Sequence, residues 1–191
     1  MSLSELPPET RKAVIAERRE ELAGFWPGAD GASERTAIKM YPLLYADKPE
    51  YGHALIPARE EMRLRRIVEA FGKCFRREMR FDFPPFEAAF IDFYGQLNGA
   101  EVVLFDAQEV SATFPIAAGA AGLSFAEGHR VLDWIWIHPF ERGRRLMPIA
   151  WADLEATYGD DFLVRGPLSP AMRGFLTRRD VNRARWEKRH A

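Results

Sequence analysis

Between Ile137 and Trp151 the chain reads IHPFERGRRLMPIAW, and three arginines, Arg142, Arg144 and Arg145, crowd around Gly143 just ahead of an apolar stripe. Leu146, Ile149, Ala150, Leu154 and Tyr158 recur at helical spacing, and Gly159 supplies a stop. Pro148 has no backbone N–H and is tolerated only in the first helical turn, so the helix must begin close to Arg144 or Arg145. The first N–H groups of a helix lack intrahelical partners and lie at the positive end of its dipole, where they accept phosphate oxygens. Guanidinium groups at the same place add charge-assisted hydrogen bonds to such an anion. Without an anion, cations at a helix N-terminus are unfavourable, and the plain alternative is a solvated turn whose arginines pair with Glu141, Asp153 or other carboxylates.

The elements that would position this turn follow from pattern. Val131 to His138 (VLDWIWIH) is apolar except for Asp133, which suits a strand covered on both faces and placed at the centre of a sheet. Within it Trp134 and Trp136 share one face, opposite Asp133, Ile135 and Ile137. Upstream, Met62, Leu64, Ile67, Val68, Phe71, Cys74 and Phe75 mark a helix within residues 57–80, and a second helix is expected over Phe86 to Leu97. Strands are expected over Thr36 to Ala46, Tyr51 to Ile56, Ala100 to Phe105 and Val110 to Phe125, the last rich in small residues that let another backbone approach closely. After the arginine turn and its helix, Phe162 to Arg165 is a short strand, and Ser169 with Pro170 opens a helix that reaches about Arg179. An exposed amphipathic helix is expected over Glu9 to Gly24.

Composition narrows the classes. The 191 residues are 47% hydrophobic and 13% aromatic, enough for an independent core, and a net charge of −1 gives no global pull toward nucleic acid or anionic membrane. The single cysteine, Cys74, excludes an internal disulfide and a cysteine-rich zinc site, and no histidine shows metal-ligand spacing. With no apolar run of membrane-spanning or signal-peptide length, a reducing, cytoplasmic setting is the expectation. Residues 173–189 are rich in arginine, for which a solvated helical terminus is the plainer reading and contact with RNA or an acidic partner the alternative.

From Trp134 to Trp151 the residues resemble the acetyl-CoA-binding motif of the GNAT superfamily of N-acetyltransferases, in which a central strand ends in Val-x-Pro and Arg/Gln-x-x-Gly-x-Gly/Ala follows. Ile137, His138 and Pro139 match the first element, and Arg142, Gly143, Arg144, Arg145, Leu146 and Met147 occupy the second. The expected element order over residues 57–179 agrees with that family. The resemblance implies an α/β fold with a mixed, mostly antiparallel central sheet flanked by helices over residues 36–179. A helical extension would precede it at residues 1–35, and a basic tail would follow at residues 180–191.

It also implies an acyltransferase that moves an acetyl group from acetyl-CoA to an amine by direct attack, without a metal. In that scheme backbone groups near Trp136 and Ile137 align the pantetheine arm and the Arg142 to Met147 turn holds the pyrophosphate. Asp133 helps remove the amine proton, and Ser169 contacts the pantetheine or the leaving sulfur. Asp133 is equally readable as a hydrogen-bonded structural acid and Ser169 as a helix cap, while His138, next to the pocket mouth and of a type that titrates near neutral pH, is more often structural when it precedes proline at a strand end. The chain departs from the family in three places. Arg145 and Met147 stand where glycine or alanine is preferred, Leu176 takes the place of a tyrosine acid, and the charged stretch DVNRARWEKRHA after Thr177 lacks the terminal strand pair that usually completes the fold. Those departures sustain an alternative, a catalytically degenerate module that binds CoA or a partner. The acceptor has no readable code.

Overall fold

The computed structural model describes residues 39–50, 52–89, 101–108, 114–126 and 128–186. The expected helix at Glu9 to Gly24, the extension at residues 1–35 and most of the expected Phe86 to Leu97 helix lie outside them; the described start of the latter is not helical, with a turn at residues 88–89.

A six-stranded sheet forms the middle layer. Its strands are β1 (Tyr41–Pro42), β2 (Leu55–Pro57), β3 (Glu101–Asp106), β4 (Ile116–Ala126), β5 (His129–Ile137) and β6 (Leu163–Val164). The order is β2-β3-β4-β5-β6, with β1 paired to the start of β4. Every pairing is antiparallel except β5 with β6. The fold is therefore α/β with a mixed, mostly antiparallel sheet. Two expectations need correction. The central strand is β4 and not the VLDWIWIH strand, because β5 has only the two-residue β6 beyond it. Of the expected Thr36 to Ala46 strand, Thr36 to Ile38 lie outside the described residues and the remainder is strand only at Tyr41–Pro42, followed by a 3-10 turn at Tyr45–Asp47 whose first-turn acid, Asp47, accepts the N–H of Leu44.

Three α-helices are present among the described residues: α1 (Met62–Met79), α2 (Leu146–Tyr158) and α3 (Pro170–Arg178). Helix α1 buries Leu64, Ile67, Val68 and Phe71 against one face of the sheet and ends at Arg80, whose φ of 60° closes it in the left-handed conformation. Phe71 stacks on Trp136 with ring centres 5.3 Å apart, and Phe75 lies 5.7 Å from Trp134. Both tryptophans of β5 thus serve the α1 face, as their two-residue spacing requires.

The opposite face carries α2 and α3. There Leu146, Ala150, Trp151 and Leu154 pack with Val103, Phe105, Leu123, Leu132, Phe162 and Leu176. Asp153 on α2 is buried and accepts hydrogen bonds from the Ala54 and Leu55 N–H groups and from His53 Nδ1, which fixes the helix to β2. At the other end Tyr158 donates to Glu101 of β3 at 2.8 Å. Beyond α3, Val181 and Trp186 pack onto the same core, and the Arg185 guanidinium lies 4.7 Å from the Phe162 ring centre and donates to the Phe162 carbonyl. Val181, Arg185 and Trp186 are therefore docked, while Asn182, Arg183 and Ala184 between them are exposed.

The small residues of β4 have the close neighbours their type suggests. A Cβ on Gly122 would collide with the Trp134 indole, and one on Gly119 would lie 2.6 Å from the Trp136 carbonyl oxygen.

Candidate binding cleft

Strands β5 and β6 pair at only two positions, Val131 with Leu163 and Leu132 with Val164. A last hydrogen bond joins Arg165 N–H to the Leu132 carbonyl at 2.9 Å. Beyond it β5 runs on to Ile137 while the chain after β6 turns away through Gly166 and Pro167 toward α3. A cleft of about 570 Å³ occupies the gap, lined along one wall by Asp133 to Ile137 and along the other by Val164, Arg165, Leu168 and Ser169. It passes from one face of the sheet to the other: Phe75, Glu78 and Met79 of α1 line one side, and Met172 and Phe175 of α3 with Met147 of α2 line the other.

A β-bulge shapes the β5 wall. Gly122 pairs with Trp134 but Leu123 pairs with Leu132, so Asp133 is an extra residue on β5. His138 N–H bonds to Ala118 of β4, so by the two-residue alternation of a strand Trp136 and Trp134 also turn their backbone groups toward β4. Ile135 and Ile137 then direct theirs into the cleft. The Ile137 carbonyl is taken by Arg142 Nε at 2.8 Å, in agreement with that alternation. The cleft thus contains a length of strand edge whose N–H groups face the opening, and an extended ligand can pair with it as a strand would.

The turn that follows is built locally. His138 is buried, and its Nδ1 accepts the Phe140 N–H at the head of a 3-10 turn, Pro139–Glu141, which makes it structural. Gly143 has φ 72°, a conformation glycine adopts without penalty, and Arg145 is the N-cap of α2 with no side-chain capping bond. The helix begins at Leu146, where Pro148 demands. Leu146 points into the core, Met147 is only partly buried and lines the cleft, and the Arg144 guanidinium lies over the Phe140 ring at 5.2 Å.

Arg142 is differently occupied. Its two terminal nitrogens make a bidentate pair with Glu78 of α1 at 2.8 and 2.6 Å, and its guanidinium sits over the Trp136 ring at 5.4 Å. The same Glu78 accepts from Trp136 Nε1 at 2.9 Å. The Arg142 hydrogen bond, the main cause, and that from Trp136 hold the Glu78 carboxyl below its ordinary value despite partial burial. Glu78, Arg142 and Trp136 therefore clasp α1, β5 and the turn together on the α1 face.

Asp133 and Arg165 stand where the strands part. Arg165 Nε donates to Asp133 Oδ1 at 2.5 Å, with the side chains 43% and 27% exposed. Ser169 caps α3 through its Oγ, which accepts the Met172 N–H at 3.2 Å, and it also lines the cleft. Leu176 is fully buried in the core. Cys74 is half-buried, and burial raises its thiol pKa, which keeps it protonated.

The chain matches no family model, no curated protein and no solved structure.

Among the residues singled out in the sequence, Asp133, Trp136, Ile137, Arg142, Gly143, Arg144, Met147 and Ser169 line this one cleft, and Arg145 and Leu146 sit within the same turn. Glu78 and Arg165 had not been singled out. Glu78 lies in the charged run RREM at the end of α1, indistinguishable by type from a solvated helix face, and Arg165 follows a two-residue strand. Among the described residues no group of three His, Cys, Asp or Glu side chains could hold a metal ion, and no helix is long and apolar enough to cross a membrane.

Proposed function

We propose that this cleft binds acetyl-CoA and that the protein is an acyltransferase of GNAT type, passing the acetyl group to an amine by direct attack. The observation that carries the reading is the parting of two parallel strands beside a helix N-terminus. The cleft begins at an open strand edge and ends at the first turn of α2, so one ligand that is extended and amide-bearing at one end and phosphorylated at the other would satisfy both. The pantetheine amides would pair with the backbone of Ile135 and Ile137. The pyrophosphate would take the free N–H groups of the Gly143 to Met147 turn, with Arg144 and Arg145 beside it.

In this scheme Arg142 has its side chain committed to Glu78 and shapes the turn, while Asp133 is placed to accept an amine proton and Ser169 to donate a hydrogen bond to the arm. Arg145 replaces a glycine at the N-cap, where its conformation is right-handed and compatible with a side chain. The acceptor would enter from the α1 side, and a cytoplasmic setting belongs to the same proposal.

Calorimetric titration with acetyl-CoA tests it. Micromolar or tighter binding is expected, weakened at least tenfold by the double substitution Arg144→Ala, Arg145→Ala. No heat, or heat unchanged by both substitutions, refutes the assignment of this site. A second reading, a CoA-binding module without catalysis, is favoured by one observation: Leu176, where the family places an acid, is sealed in the core and leaves no proton donor there. Binding without release of free thiol in the presence of any primary amine would select it.

A further inference from the structure

Acyl transfer from a thioester needs something to stabilise the departing sulfur, and the buried Leu176 cannot do so. The geometry points to Arg165 as that group: we propose that it is a catalytic residue, held by Asp133, whose guanidinium stabilises the negative charge that develops on the thioester during transfer. This rests on the acetyl-CoA reading above.

Position comes first. Four residue steps separate Asp133 from Ile137, about 13 Å of strand edge. A donor anchored by its phosphates at the α2 turn and lying along that edge therefore runs toward the vertex of the cleft. At the vertex stand Asp133 and Arg165, directly after the last paired residues Leu132 and Val164. The vertex holds a cation just beyond β6 facing an anion of β5, in a cleft whose lining also includes the apolar Ile135, Val164, Leu168 and Phe175.

Valence comes second. Arg165 meets Asp133 through Nε alone, so among the described residues its two terminal nitrogens have no protein partner. Asp133 likewise uses Oδ1, and among the described residues its Oδ2 has no hydrogen-bond partner. The contact is end-on and fixes the guanidinium without saturating it, in contrast to Arg142, which is consumed by Glu78 on both terminal nitrogens. Arg142, Arg165 and Arg179 line the cleft beside acidic partners; of these, Arg165 is the one held by a carboxylate of the cleft wall itself, Asp133, with its terminal nitrogens left for a ligand.

The step balances without another reagent. The amine lone pair forms the new C–N bond at the thioester carbon, and the carbonyl π pair moves onto oxygen. As the carbonyl re-forms, the C–S bond breaks and sulfur leaves with that electron pair. The proton lost by the amine passes through Asp133 Oδ2 to water, and the thiolate takes a proton from water after departure. Arg165 stays protonated throughout and acts by charge and hydrogen bonding, since a guanidinium does not release its proton near neutral pH.

The test measures free thiol released from acetyl-CoA by the full chain with a set of primary amines (spermidine, tyramine and a lysine-containing peptide), alongside acetyl-CoA affinity by calorimetry. Arg165→Ala is expected to lower turnover by roughly 100- to 1000-fold with affinity changed less than threefold, and added guanidinium chloride at millimolar concentration to restore part of the rate. Turnover within threefold of the unsubstituted chain, or a loss that guanidinium does not relieve, overturns the role of Arg165 and leaves the acetyl-CoA reading standing. If Arg165→Ala does not fold, Arg165→Lys against Arg165→Gln decides the point: Lys more active by at least tenfold supports the role, equal rates overturn it. Absence of acetyl-CoA binding, or binding without thiol release from the unsubstituted chain with every amine, overturns the inference together with the transferase reading.

Discussion

Glu78 and Arg142 show how much a single pair of side chains redirects a reading based on residue type. Arg142 looks like a phosphate ligand in sequence because it opens an arginine-rich turn, yet its donors go to Glu78 and the Ile137 carbonyl. The consequence for stability has a definite sign. Because the folded carboxyl of Glu78 is held below its ordinary value by Arg142, the pair contributes above the unfolded glutamate value of about 4.3 and its contribution fades as pH falls through the lowered folded value. Both side chains are more than a third exposed, so screening limits the pair to about 1 kcal/mol or less. Urea denaturation of Glu78→Gln should show a lower midpoint than the unsubstituted chain at pH 7 and a gap that narrows as the pH falls below the unfolded glutamate value of about 4.3. A gap that widens on acidification would contradict the assignment.

At the scale of elements, legibility followed periodicity and local chemistry. Helix α2 begins where Pro148 requires, Ser169 caps α3, and α1 presents its 3.6-residue stripe to the sheet, because each of these depends on neighbours within a few residues. The cleft was half legible. Its β5 wall and arginine turn are contiguous in sequence, whereas Glu78 and Arg165 arrive from elements 64 and 32 residues away from their partners, and no local pattern carries such pairings. The central position of β4 was hidden for a related reason. Its burial shows as alanine and glycine, which pack closely without raising hydrophobicity as valine or isoleucine would.

That close packing is testable at the β4–β5 contact. Gly122→Ala places a methyl against the Trp134 indole, which is wedged between Phe75 and the sheet, and should cost about 1–3 kcal/mol by overpacking. Trp134→Leu alone should also destabilise through loss of buried area, but the double variant should be less unstable than the sum of the two, because the smaller side chain vacates the space the methyl needs. Strict additivity in thermal denaturation would mean that the two residues do not compete for one volume.

Over the whole molecule, positive and negative charges nearly cancel, with 27 basic and 28 acidic residues, and nothing in that total suggests an anionic ligand. The cleft departs from the average. Arg142, Arg144, Arg165, Arg178 and Arg179 line it against only Glu78 and Asp133 as carboxylates, so a near-neutral protein presents a locally positive slot. Part of the basic bias after residue 173 is spent inside the fold, since Arg179 and Arg185 both lie within ion-pair distance of Glu155. What stays available for a phosphorylated ligand is concentrated at the mouth beside α2 and α3. Salt screens such exposed charges over about 10 Å at 0.1 M, and the effect should track the phosphates of the ligand and not its acyl arm. The Kd for acetyl-CoA is therefore expected to rise on the order of tenfold between 0.05 and 0.5 M sodium chloride, whereas S-acetylpantetheine, which carries the arm without phosphate, should bind more weakly but with a Kd nearly independent of salt. Equal salt dependence for the two ligands would locate the binding energy away from the arginine mouth, and salt-independent binding of acetyl-CoA would remove electrostatics from the account of this cleft altogether.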